Sequence, residues 1–309
     1  MELLICTSVA RVGTGFSVGT ALSNRMPECR DRAKLSASRI LRWAPRILRD
    51  DPGSGRFKTL ACYLGLEFGS VFGPPTPGRA RKTRILGAEM EFFDYRPLLY
   101  TFVEIFLRRD YLFLTDRVRP FIVDCGANIG MSILFFKRTY PGSRILAFEP
   151  DPETFTLLKR NVEASGFEGV TLVNKAVLDS EGVTNFHSAP YGPGSALMSV
   201  VGTRASMETV TVPSVKLSDY LEEPVDFLKI DVEGAEGKVI RQLAESGKIE
   251  HVQQMAIEYH HHLHPEENEL AGLLDVLERG GFGYQIRGDV KTPVTPGRFE
   301  DLMIYTYKK

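Results

Sequence analysis

The stretch Asp124-Cys125-Gly126-Ala127-Asn128-Ile129-Gly130 constrains this chain more than any other, because it lies between the apolar run Phe121-Ile122-Val123 and a helix-patterned segment. A strand, a glycine turn and a helix N-terminus in direct succession let backbone approach a nucleotide-like ligand closely. Glu149 stands 25 residues beyond Asp124, after a second apolar run, Ile145-Leu146-Ala147-Phe148. A carboxylate there can accept hydrogen bonds from two ribose hydroxyls.

Around this point the periods alternate: strand 121–125, helix 129–139, strand 144–149, helix 152–165, strand 170–175. Such alternation predicts an α/β fold, a parallel sheet with right-handed crossovers and helices on both faces. Asp151-Pro152 reads as a helix start, and Pro141-Gly142 and Gly166 punctuate helix ends. Upstream, 85–93 reads as a strand and 98–109 as a helix, an entrance element or lid over the core. Downstream, strand-like 183–187 and 209–215 flank a polar, glycine-rich excursion expected on the substrate side. A helix over 216–221, strand 225–231, a helix from Gly234, strand 252–259, a helix near 267–280, strand 284–286 and strand 302–307 complete the pattern.

The net charge of -1 conceals a division. Residues 1–84 carry 15 basic against 6 acidic residues, +9, and the remainder 23 against 33, -10. Residues 33–49 mix Leu35, Ile40, Leu41, Trp43 and Ile47 with five basic residues, an amphipathic helix expected to be interrupted by Pro45. The run Gly73-Pro74-Pro75-Thr76-Pro77-Gly78 reads as a linker, giving a basic helical extension over 1–80 and a main domain over 81–309. The extension is expected to pack on that domain or on a second subunit, leaving a homo-oligomer open; nucleic-acid attachment is the less favoured use of its charge. Cys6, Cys29, Cys62 and Cys125 are dispersed, and neither a basic leader nor an 18-residue apolar run is present, so a cytoplasmic chain without a membrane span is expected.

Asp124 to Gly130, Phe148-Glu149-Pro150-Asp151-Pro152 and Leu228-Lys229-Ile230-Asp231-Val232-Glu233-Gly234-Ala235-Glu236 occur in order at the ends of successive strands. Over about residues 85–307 the chain resembles the FkbM-type methyltransferases, which use S-adenosylmethionine. The resemblance implies a class I methyltransferase, Rossmann-like fold, with a seven-stranded sheet whose last strand is inserted antiparallel. It also implies O-methylation of a hydroxyl on a small molecule, often a sugar or secondary metabolite.

For that donor, Gly126 and Gly130 permit the close turn, N–H groups near Asn128 and Ile129 meet its carboxylate, and Asp124 accepts from its amine. Asn128 reads equally as a helix cap. Glu149 takes the ribose, and the small Ala176 admits the adenine edge. Asp231 is expected beside the reacting hydroxyl, to orient it, deprotonate it or hold a cation, with Glu233 and Glu236 nearby; Lys229 pairs with an acid. Of the adjacent histidines, His260 is the candidate base because it is nearest the strand. A divalent cation such as Mg²⁺, held by Asp231, Glu258 and a histidine, is the minority reading. An NAD-dependent oxidoreductase shares the glycine turn and the ribose acid, but the G-x-G-x-x-G spacing is missing. A nucleic-acid methylase would use the basic region, yet the main domain is acidic.

Overall fold

The computed structural model describes residues 34–49, 55–73, 79–188, 208–261, 269–288 and 300–309. Most of the 188–206 excursion, the prolines of the linker and His262 lie outside them.

The main sheet is built from β3 (Phe121–Cys125), β4 (Arg144–Phe148), β5 (Val170–Val173), β9 (Val225–Ile230), β10 (Val252–His261), β11 (Phe282–Gly288) and β12 (Glu300–Lys308). Its order is β11-β12-β10-β9-β3-β4-β5, and β12 runs antiparallel to both neighbours. The family-type sheet, with its last strand inserted, is therefore present. Because side chains alternate across a strand, each strand feeds two cores. Ile122, Ile145, Ala147 and Phe227 join α4 (Met131–Thr139) and α5 (Pro152–Ala164) on one face. Val123, Leu146, Leu228 and Ile230 join α6 (Glu236–Glu245) and α7 (Leu270–Arg279) on the other. Burial on both faces explains why β9 is buried at all six positions.

Four elements of the main domain depart from the sequence pattern. The strand expected over 85–93 is a hairpin, β1 (Arg81–Ile85) and β2 (Ala88–Phe92), turning at Leu86 and Gly87 with φ of 50° and 100°. Leu86 hides the turn, since a leucine at left-handed φ is not a turn signal. The next helix starts earlier, as α3 (Tyr95–Phe102), because the Asp94 carboxylate accepts from the Arg96 N–H at 2.8 Å. It then widens into a π-helical segment, Val103–Arg108, closed by Arg109 at φ 58°. The strand expected to reach 175 stops at Val173: Asn174 donates to the carbonyls of Glu149 and Pro150, and the chain leaves for a three-stranded sheet. That sheet has the order β6 (Ala176–Leu178), β8 (Glu208–Lys216), β7 (Gly182–Ser188). Residues 217–220 form a 3₁₀ turn in place of the expected helix.

In the basic N-terminal part, α1 (residues 34–49) runs through Pro45 instead of breaking there. The carbonyl left without its donor belongs to Leu41, a residue on the exposed side of the helix. α1 lies against α2 (Gly55–Phe72) through the fully buried Glu67, which accepts from Ser36 Oγ, Tyr63 Oη and Arg39 Nε and Nη2 at 2.7–2.8 Å. Burial pushes the Glu67 carboxyl up, but Arg39, Ser36 and Tyr63 outweigh it and hold its pKa below the ordinary value. Trp43, Tyr63 and Leu66 join the α4–α5 core. Among the described residues, no helix is long and apolar enough to cross a membrane.

Candidate active site

The carboxyl ends of β3, β4, β9 and β10 meet at the glycine turn. The Gly126 and Ala127 N–H groups both donate to the Phe148 carbonyl, at 3.0 and 2.9 Å, and the Asp231 N–H donates to the Cys125 carbonyl at 3.1 Å. At φ 87°, Gly126 packs so tightly on β9 that a Cβ would stand 1.9 Å from the Asp231 carbonyl oxygen. Only glycine fits there.

Glu149 is buried behind the turn and ties it to the start of α5: Oε2 accepts the Asn128 N–H and Oε1 the Asp151 N–H, each at 2.9 Å. Burial pushes its pKa up to about 8 in spite of those bonds. Asn128, at φ 47°, accepts the Ile129 N–H on its own Oδ1 at 2.7 Å. Both N–H groups expected to meet a donor carboxylate therefore have protein partners here. Asp124 is buried under the turn, where it accepts from Ser132 Oγ and lies 3.4 Å from Lys229 Nζ. Lys229 Nζ also donates to the Gly126 carbonyl at 2.7 Å and to Asp231 Oδ2 at 3.2 Å. Burial works against the ammonium, but Asp231, Asp124 and Glu258 outweigh it and raise its pKa.

In front of the turn lies a cavity of about 170 Å³. Asp231 and Glu233 from the loop after β9, Glu258 and His260 from β10, and Glu104 from the π-helical segment all line it. Desolvation drives Glu104 up to about 8 and Glu258 well above the carboxylate range, with neighbouring acids adding to both. The buried His260 ring meets a carboxylate at each nitrogen, Glu236 Oε1 at 2.9 Å from Nδ1 and Glu233 Oε2 at 3.3 Å from Nε2. Burial lowers its pKa, but Glu233, Glu236 and Glu258 prevail and hold it well above the ordinary histidine value.

The structure thus brings Gly126, Asn128, Asp231, Glu233 and His260 to one cavity. Asp124, Gly130, Glu149 and Ala176 are not among its lining; Gly130 caps α4 at φ 93°, and Ala176 is buried in β6 opposite Ser214. Glu236 lies below the cavity, where it also accepts the Val232 and Gly234 N–H groups. Sequence reasoning missed Glu104, Tyr111 and Asp301 on the wall. Glu104 did carry a signal: it is the one acid among the apolar residues Phe102, Val103, Ile105 and Phe106.

A mostly parallel seven-stranded sheet in this order, with the glycine turn after β3 and an acid closing β4, is the fold of class I methyltransferases. The profile of the methyltransferase FkbM domain matches residues 124–284, just over half of the chain, which therefore belongs to that family. Methyltransferase 1 of Beauveria bassiana (strain ARSEF 2860) is 35% identical over 161 residues, 45% of this chain and 65% of that protein. Methyltransferase sdnD of Sordaria araneosa is 32% identical over 178 residues, 47% of this chain and 69% of its own. The 31-O-demethyl-FK506 methyltransferase FkbM of Streptomyces tacrolimicus is 29% identical over 229 residues, 63% of this chain and 86% of its own. The match thus spans slightly less than two thirds of the Beauveria protein.

Proposed function

We propose that this chain is an S-adenosylmethionine-dependent O-methyltransferase acting on a hydroxyl of a small polyhydroxylated molecule. The observation that carries the reading is Asp231, held by Lys229 at the lip of the glycine turn and facing an acid-walled cavity. The donor set fits a cationic donor: four acids, Asp231, Glu233, Glu258 and Glu104, surround the space in front of Gly126 and Asn128, and a cation among them favours the ionised form of each. When bound, S-adenosylmethionine supplies an electrophilic methyl on a sulfonium.

The chain's own residues supply the rest. Gly126 lets backbone come close, and Glu149 fixes the shape of the turn through the Asn128 and Asp151 N–H groups. Asp231 orients the incoming hydroxyl and accepts its proton, with Lys229 restraining its rotamer. His260, engaged at both nitrogens, positions Glu233 instead of acting as the base. A wall of carboxylates also offers acceptors for neighbouring hydroxyls, which favours sugars and polyols. The name of the Streptomyces relative describes an O-methylation, which supports oxygen as the nucleophile.

The test is calorimetry with S-adenosylhomocysteine, followed by mass spectrometry of a panel of sugars and polyols incubated with the full chain and the donor. Binding with methyl gain on an oxygen supports the reading. Absence of binding refutes it.

A further inference from the structure

The geometry points to a divalent-cation site formed by Asp231, Glu233 and His260. One donor atom from each lies within 4.8 Å of the other two, and all three open on the cavity. The angular requirement is met from behind. His260 Nδ1 faces Glu236 Oε1 at 2.9 Å, so the ring turns Nε2 toward Glu233. This is the arrangement by which a buried carboxylate orients a ligating imidazole. Glu236 is 1% exposed and is itself fixed by the Val232 and Gly234 N–H groups, so ring and acid are set before any ion arrives. Beside these three residues, Glu258 on β10 brings a third carboxyl group to the same cavity.

Two carboxylates and one imidazole, without a thiolate, suit a hard to borderline ion of the Mg²⁺ and Mn²⁺ class. The imidazole tilts the choice toward Mn²⁺. The ion takes the place of the proton on Nε2, which passes to solvent. Three protein ligands leave about three positions of an octahedron for water or acceptor oxygens. An acceptor with two neighbouring oxygens, a vicinal diol or an α-hydroxy carbonyl compound, can chelate there and lose a proton more readily from the bound hydroxyl. This use of the ion rests on the methyl-transfer reading; the site itself does not.

The test is titration of the metal-stripped full chain with Mn²⁺, followed by electron paramagnetic resonance and calorimetry. The expected result is one ion per chain. Affinity should fall at least about tenfold in Glu233→Gln and in Asp231→Asn, and about 10- to 100-fold in Glu236→Gln. Glu163→Gln, on the exposed side of α5, should bind as the parent does. Circular dichroism identifies any variant that loses its fold, and the others then decide the outcome. No bound ion, or equal affinity in all folded variants, overturns the site. Parallel calorimetry with S-adenosylhomocysteine in EDTA separates the two readings: homologue binding without Mn²⁺ binding removes only the metal site, and the converse removes only the donor.

Discussion

Replacing Gly126 with alanine tests the link between the glycine turn and Asp231. The added Cβ would lie 1.9 Å from the Asp231 carbonyl oxygen, whereas ordinary contact begins at 3.4 Å, so the two backbones must part by about 1.5 Å. Two costs follow. Left-handed backbone at φ 87° costs a non-glycine residue about 1–2 kcal/mol, and overpacking adds roughly 1–3 kcal/mol. Gly87→Ala separates them, because Gly87 is also left-handed, at φ 100°, but has nothing within 4 Å of its Cβ position. Gly87→Ala should lower Tm by only about 2–4 °C per kcal/mol of backbone cost and leave turnover intact. Gly126→Ala should lower Tm further. It should also cut kcat about 100-fold, since an ångström of misplacement at the reacting group costs that much. Scanning calorimetry and methyl transfer to a hydroxyl acceptor measure both effects. Parental kcat in Gly126→Ala would refute the coupling of turn and acid.

Three further outcomes are expected. Glu149→Gln sets an amide NH₂ against the Asn128 or Asp151 N–H, a loss of about 1–3 kcal/mol in the turn, and if binding needs the turn formed, affinity for S-adenosylhomocysteine should fall by up to about 5- to 150-fold; unchanged affinity would remove Glu149 from the turn's support. Glu67→Gln should cost about 2–3 kcal/mol at neutral pH, toward the lower end because Arg39 is 33% exposed. Glu67 has its pKa lowered by folding, so its contribution is present above the unfolded value and fades as pH drops below about 4; urea midpoints that differ equally at neutral and acid pH would contradict this. His260 has its pKa raised, so its ion pairs stabilise fully below the ordinary value of about 6.5 and fade as pH climbs through the folded value. In EDTA its imidazole NMR signal should titrate above that ordinary value and shift downward in Glu233→Gln; titration at the ordinary value would exclude the double clamp.

The sheet was readable in the sequence because strands buried on both faces leave apolar runs, as in 121–123 and 145–148, with glycine and proline between them. The turn residues were readable because chemistry and backbone geometry converge on Gly126. What stayed hidden depends on contacts distant in sequence. Glu236 and His260 are 24 residues apart and meet only because α6 and β10 return to the same rim. Glu104 and Glu258 share a wall from opposite ends of the domain. The Leu86 turn was masked by an aliphatic residue in a conformation it seldom adopts, and the π-helical segment has no compositional marker.

That widened turn over residues 103–108 has a consequence for descent. A π-helical loop holds one residue more than an α-helix spanning the same distance. Deleting a residue there would restore ordinary winding and swing Glu104 about 100° around the axis, away from the chamber. Single-residue gain or loss at this spot would therefore repaint one wall of the chamber while the strands beneath keep their register, so that what the chamber admits can change without rebuilding the sheet.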